Sequence, residues 1–295
     1  MDRFKQIHLP LQKNRNSLHV LLFLLTIYTT YRVGLVDDTA GALWYSGGLM
    51  SILLFHETGH YLAAKYHRVS ASLPYFIPMP LPPFGTMGAV IKMDGHIPNR
   101  RALMDVGVAG PFAGLAVAIP TIFFGLRFSQ IIPLEKTAGN TISLGDSMLF
   151  SILTRLSLGP LPDGQDILLH PLAYAGWVGL LITAINLLPV GQLDGGHILY
   201  ALFHRKSRYV AWILYGIFLY VCLFHYFGWF LLLVLLAIFR KHPPTMADSI
   251  PLDPKRKIAG VLALILFVLA FTPVPFGFGE GLIPLILKLS TGQGL

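Results

Sequence analysis

The chain has 295 residues, 54% of them hydrophobic and only 12% charged, with a mean hydropathy of +0.64. Soluble domains carry about 25% charged residues, so a water-soluble globular class is excluded. The net charge of +8 sits in short basic clusters between apolar runs, a positive-inside pattern that excludes nucleic acid as a partner.

The first apolar stretch follows Lys13 and Arg15 and is expected to span the membrane over 18–33, behind a cytoplasmic N-terminus of residues 1–17. Tyr28, Tyr31 and Arg32 stand where a signal peptide would need small residues for cleavage, so this span reads as uncleaved. Asp37 and Asp38 follow on the far side. A second span over 42–65 ends at Lys65, His67 and Arg68. Residues 74–95 are apolar, but Pro74, Pro78, Pro80, Pro82 and Pro83 forbid a continuous helix there. Gly85 and Gly88 allow close backbone approach, so the stretch reads as a re-entrant loop with a short strand.

The third span, 104–126, begins with small residues between Val108 and Gly114 that let another helix come close. Residues 127–169 mix charge, proline and glycine, and their apolar patch at 147–153 is too short to cross; an interfacial helix is expected. A fourth span covers 169–188. Residues 209–239 carry no charge and lie between Arg205, Lys206 and Arg208 on one side and Arg240 and Lys241 on the other. A hairpin bending near 225–228 keeps both clusters on one side of the membrane. A further span runs over 258–271, and the apolar tail at 281–287 is too short to assign. Cys222 is the single cysteine, which leaves no intrachain disulfide and no cysteine zinc site; it reads as a small buried hydrophobe. The expected fold is an all-α polytopic membrane protein of about six to seven transmembrane helices, with the re-entrant loop or short β-strand between the second and third spans. Residues 18–200 form the membrane core and 201–295 the C-terminal membrane helices.

Inside the second span stands His56-Glu57-Thr58-Gly59-His60. Histidines at i and i+4 project from one helix face and are able to share a zinc ion. Glu57 beside them is placed to take a proton from zinc-activated water. The alternative is a polar patch joining helices. An unpaired glutamate at that depth costs a few kcal/mol, about 3 on insertion scales, which favours the metal. A catalytic zinc takes a third ligand, a His, Asp or Glu at the same depth. The fourth charge-free run ends at Asn186-Leu187-Leu188-Pro189-Val190-Gly191-Gln192-Leu193-Asp194-Gly195-Gly196-His197, and Asp194 is the first carboxylate after it. Pro189, Gly191, Gly195 and Gly196 are expected to break the helix there, as backbone lining an internal cavity allows. The zinc site thus draws on 42–66 and 186–197.

At these residues the chain resembles the site-2 protease family of intramembrane zinc metalloproteases. That family is marked by HExxH in one membrane helix and Asn-x-x-Pro-x-x-x-Leu-Asp-Gly in a later one. His56, Glu57 and His60 meet the first pattern; Asn186, Pro189, Leu193, Asp194 and Gly195 meet the second, and the resemblance covers about 49–199. It implies one Zn2+ per chain held by His56, His60 and Asp194, with Glu57 as general base and then general acid. It also implies that Asn186 holds the substrate or polarises its carbonyl, and that the loop carrying Gly85 and Gly88 borders the site and pairs with an unwound substrate strand. His197 is expected at a helix start beside the metal ligands. The implied partner is a membrane-spanning protein substrate, cut after an upstream site-1-type protease in regulated intramembrane proteolysis. Residues 127–169 are too few for a PDZ domain. The alternative class is a non-proteolytic zinc-binding membrane transporter or scaffold, which would need polar residues along a pathway or the loss of Glu57. The expected location is a prokaryotic plasma (inner) membrane, crossed several times with the N-terminus in the cytoplasm.

Overall fold

Polar caps set where the helices begin. The computed structural model describes residues 15–35, 38–134, 142–239, 242–277 and 281–284. Most of the N-terminal tail, Asp37, Arg240, Lys241 and the end of the C-terminal tail lie outside the described residues. Helix α1 runs over Arg15–Gly34 and α2 over Thr39–Tyr66. The Asp38 side chain accepts from the Gly41 N–H at 2.6 Å and starts α2. In the same way the Asn99 side chain caps α3 (Arg100–Arg127), accepting from the N–H groups of Arg101 and Ala102. Ser147 caps α4 (Met148–Leu158), the short helix expected in the connection. His170 with Pro171 opens α5 (Pro171–Asn186).

The proline-rich segment forms a hairpin where one short strand was expected: β1 (Tyr75–Pro78) pairs antiparallel with β2 (Thr86–Val90). The register places Tyr75 opposite Val90 and Phe76 opposite Ala89. Gly85 precedes β2 at φ 77°, and a Cβ there would meet the Thr29 and Thr30 backbone of α1 at 2.7–2.8 Å. A second antiparallel pair, β3 (Gln130–Pro133) with β4 (Gln165–Leu168), lies at the far end of α3. The all-α expectation therefore gives way to a mostly helical fold with two small sheets among the described residues.

Helices α2, α3 and α5 form the centre. Helix α5 has only 16 residues but buries Trp177, Val178, Leu180 and Leu181 around its circumference. A helix apolar on every side belongs inside. After α5 the chain leaves helical form at Leu187 and re-enters it at Asp194, as the proline and glycine in between dictate. The expected break included Gly195 and Gly196, but both lie in the first turn of α6 (Asp194–Phe203). Their role is close approach: a Cβ on Gly195 would strike the Leu187 carbonyl, and one on Gly196 the Gly191 carbonyl.

A 3₁₀ turn over His204–Lys206 leads into α7 (Ser207–Phe224), and a bend at His225 separates it from α8 (Phe230–Phe239), which packs back on it. Helix α9 (Pro254–Ala270) starts at the Asp253 cap. Among the described residues, two helical runs are long and apolar enough to cross a membrane: Arg100–Arg127 and Asp194–Phe224. Helices α7 to α9 leave Ile213, Ile217, Leu231, Ile238, Val261 and Ile265 exposed, a surface suited to lipid rather than water.

Basic residues gather at one end. Asp105, early in α3, receives Arg256 of α9 through two bonds of 2.8 and 2.6 Å and His67 at the end of α2 at 2.7 Å. The C-terminal end of α2 and the N-terminal ends of α3 and α9 therefore meet.

Candidate metal centre

His56 and His60 are one turn apart on α2 and point toward α3, where small residues make room for them. Gly114 lies against His56, and Gly110 lies so close to His60 that a Cβ would fall on the imidazole. Gly59, on the same helix, faces the Ala109 backbone carbonyl. Small residues at helix contacts let backbones approach closely in a membrane. Gly110→Ala is expected to destabilise the protein by about 1–3 kcal/mol through overpacking. It should also displace the His60 ring and loosen metal binding. Gly47→Ala, with nothing within 4 Å of the added Cβ, is the neutral control, and thermal unfolding in detergent with zinc analysis compares the two.

The His60 Nδ1 lies 2.8 Å from the Val106 carbonyl oxygen. A carbonyl only accepts, so Nδ1 carries the proton and the lone pair is left on Nε2. This is the outer bond that commonly orients a metal-binding histidine. His60 Nε2 lies 3.1 Å from His56 Nε2 and 3.1 Å from Asp194 Oδ2, while His56 Nε2 is 3.3 Å from the same carboxylate oxygen. Asp194 arrives from the start of α6 with 15% of its side chain exposed.

These three atoms make a nearly equilateral triangle. A tetrahedral zinc with bonds of about 2.0–2.1 Å separates its ligand atoms by about 3.3 Å, so the donor set fits zinc in both kind and spacing. Two imidazole nitrogens facing each other at 3.1 Å repel unless a cation or proton sits between them. Among the described residues, His56, His60 and Asp194 are the group of this kind able to hold a metal.

Glu57 follows His56 and is 3% exposed, with His60 and Asp194 as its electrostatic neighbours. Asn186, the last residue of α5, brings Nδ2 within 3.4 Å of His56 Nε2. Gly88, at φ 92° in β2, faces Ile182 one turn before Asn186, which puts the hairpin beside α5. Gly85 instead packs on α1, where its bareness serves the turn. His197 lies one turn beyond Asp194 and bonds through Nδ1 to His242 Nε2 at 2.7 Å.

That last contact introduces residues the sequence reading missed. His242 and Asp248 lie between α8 and α9, in a stretch whose sole signal was a histidine ahead of Pro243 and Pro244. Burial lowers His242 to about 4, so it is neutral at neutral pH. Partial burial pushes the Asp248 carboxyl up, but hydrogen bonds from Thr245, Tyr200 and His204 outweigh it and hold the group at about 2.

A helical protein with apolar outer faces and a buried two-histidine, one-carboxylate centre beside a glutamate has the build of a membrane zinc peptidase. The family model for peptidase family M50 matches residues 44–224, and the chain belongs to that family, the site-2 protease family. Zinc is the cofactor that the family and the donor set together define. The chain is 36% identical over 250 residues to the probable zinc metalloprotease EGY1, chloroplastic, of Arabidopsis thaliana, a match covering 80% of this chain and 43% of that protein. It is 30% identical over 250 residues to the probable zinc metalloprotease EGY2, chloroplastic, of Oryza sativa subsp. indica, covering 83% of this chain and 44% of the relative. The chain thus spans less than half the length of these curated relatives. No solved structure matches it.

Proposed function

We propose that the protein is an intramembrane zinc metalloendopeptidase that hydrolyses peptide bonds in or near transmembrane segments of other proteins. The observation that carries this reading is the triangle of His56, His60 and Asp194 donors beside the buried Glu57, on helices with lipid-suited outer faces.

His56, His60 and Asp194 hold the zinc in this reading. When bound, zinc supplies Lewis acidity that polarises a peptide carbonyl and makes water a better nucleophile near neutral pH. Glu57 takes the proton of the attacking water on its carboxylate and delivers it to the leaving amine nitrogen. The Asn186 side-chain amide donates toward the substrate carbonyl oxygen. The β2 strand, with Met87 and Val90 exposed, offers backbone to an unwound substrate segment, which presents its scissile bond in extended form. Regulated intramembrane proteolysis after a cut by an upstream site-1-type protease is the setting this chemistry suits.

The proposal puts α1, α2, α5 and α7 to α9 in the bilayer with α3, giving seven spans, the upper end of the expected six to seven. His60 then sits roughly 9 Å inside the basic end of α2, close enough for water to enter from that side. The basic end faces the cytoplasm or its equivalent compartment. The relatives carry "chloroplastic" in their names, which lends no support to a prokaryotic plasma membrane, and the proposal names no particular membrane.

A transporter or scaffold is less well supported. Among the described residues, Thr26, Thr121 and Thr183 bond carbonyls of their own helices rather than lining a polar path.

The test is cleavage of single-span proteins co-reconstituted with this chain in liposomes. Chelation with 1,10-phenanthroline is expected to stop product formation, and added Zn2+ to restore it. Cleavage that continues in the metal-free protein contradicts the reading.

A further inference from the structure

Helix α6 presents Asp194, and its start is packed by Gly195 and Gly196 on neighbouring carbonyls but carries no side-chain cap: Leu193 makes no such bond, and the helix has ten residues. Positions 194, 197, 200 and 201 lie on one stripe by their spacing of three and four, and His204 follows them as the C-cap of the helix. Asp194 is the end of that stripe at the metal centre. The rest of it meets the segment 242–252 between α8 and α9.

His197 Nδ1 is 2.7 Å from His242 Nε2, one ring donating its N–H to the other. The Tyr200 ring stacks on His242 at 4.3 Å between centroids and 14° between planes. The Tyr200 hydroxyl donates to Asp248 Oδ2 at 2.7 Å, and His204 Nε2 reaches the same oxygen at 3.0 Å. The segment is itself fixed to the start of α3. The Met246 and Ala247 N–H groups donate to the carbonyls of Ile97 and Pro98, and Arg100 donates to the carbonyls of Asp248 and Ala201. Leu252 is buried with Ala102, Leu103 and Ala201. Helix α3 is also the helix that seats His56 and His60.

We propose that residues 242–252 are a strap that sets the rotation of α6 against α3 and so aims the Asp194 carboxylate at the two histidines, with His242 and Asp248 as positioning residues. The proposal rests on Asp194 being the third zinc ligand. Its physical basis is leverage. A short helix bonded at two successive turns and at its C-cap cannot rotate without breaking a partly buried imidazole pair, a ring stack and a charge-assisted bond.

The test uses the whole chain in detergent, loaded with Zn2+ or Co2+, as parent, His242→Ala, His242→Gln, Tyr200→Phe and Asp194→Ala. Outer-shell partners of metal ligands are typically worth about 10–100-fold in metal affinity. His242 bonds His197 rather than a ligand, so His242→Ala is expected at the low end of that range, weakening Zn2+ retention against a competing chelator by about 10-fold and shifting the cobalt d–d bands. His242→Gln reaches about as far as Nε2 and should restore both readouts. Tyr200→Phe, which keeps the ring stack and removes the bond to Asp248, should shift the cobalt bands in the same direction by less, and it carries the test if His242→Ala does not fold. Parental cobalt bands in His242→Ala, with or without a lower melting temperature, overturn the strap while Asp194→Ala still loses metal. If Asp194→Ala retains metal like the parent, the ligand assignment itself falls and the strap with it.

Discussion

Glu57→Gln is expected to leave zinc bound while lowering peptide hydrolysis by about 10²–10⁴-fold, the range over which a positioned acid–base group acts. Glutamine keeps the volume and polarity of the side chain at a buried position, so α2 and its packing on α3 stay intact. What is lost is the ability to accept a proton from water and return one to the amine. Metal analysis and cleavage of a co-reconstituted single-span protein separate the two effects. Full cleavage by the variant contradicts the role of Glu57, whereas loss of both zinc and cleavage makes Glu57 structural.

Asp194→Ala has the second large effect. It removes the one donor that comes from outside α2, leaving two imidazole nitrogens 3.1 Å apart with no anionic partner. Zinc retention through dialysis is expected to fall below stoichiometric levels and cleavage to background, and neither is recovered by added Zn2+ at micromolar concentration. Retained stoichiometric zinc would move the third ligand elsewhere.

Much of the site was legible because its chemistry is local in sequence. His56 and His60 share a helix face through their spacing alone, and a glutamate in an apolar run is costly enough to demand a purpose. Asp194 was legible through the break that precedes it, since Pro189 and Gly191 end one helix and leave a carboxylate at the start of the next. Reading Gly195 and Gly196 as part of that break confused two uses of glycine. Both are helical, and they are bare because the Leu187 and Gly191 carbonyls pass beside them, a tertiary fact that composition does not carry. The same holds for Gly110, whose absent side chain is the space filled by His60.

Helix boundaries followed the apolar runs closely, with α3 at Arg100–Arg127 against an expected 104–126. The proline-rich loop was read as non-helical for the right reason, but the pairing of β1 with β2 depends on a register that scattered prolines hide. The strap over α6 was invisible. His242 and Asp248 sit more than forty residues from the side chains they hold, in a polar stretch that reads as a plain connection between spans.

The most direct measurement of the central claim is X-ray absorption at the zinc edge on the purified, detergent-solubilised chain, with metal content determined on the same sample. The account predicts one zinc per chain in a shell of light atoms only, two imidazole nitrogens and a carboxylate oxygen with one further light atom, at about 2.0–2.1 Å. The imidazole signature should be halved in His56→Ala. A chain that binds no zinc, or one whose imidazole signature is unchanged in His56→Ala, would contradict it.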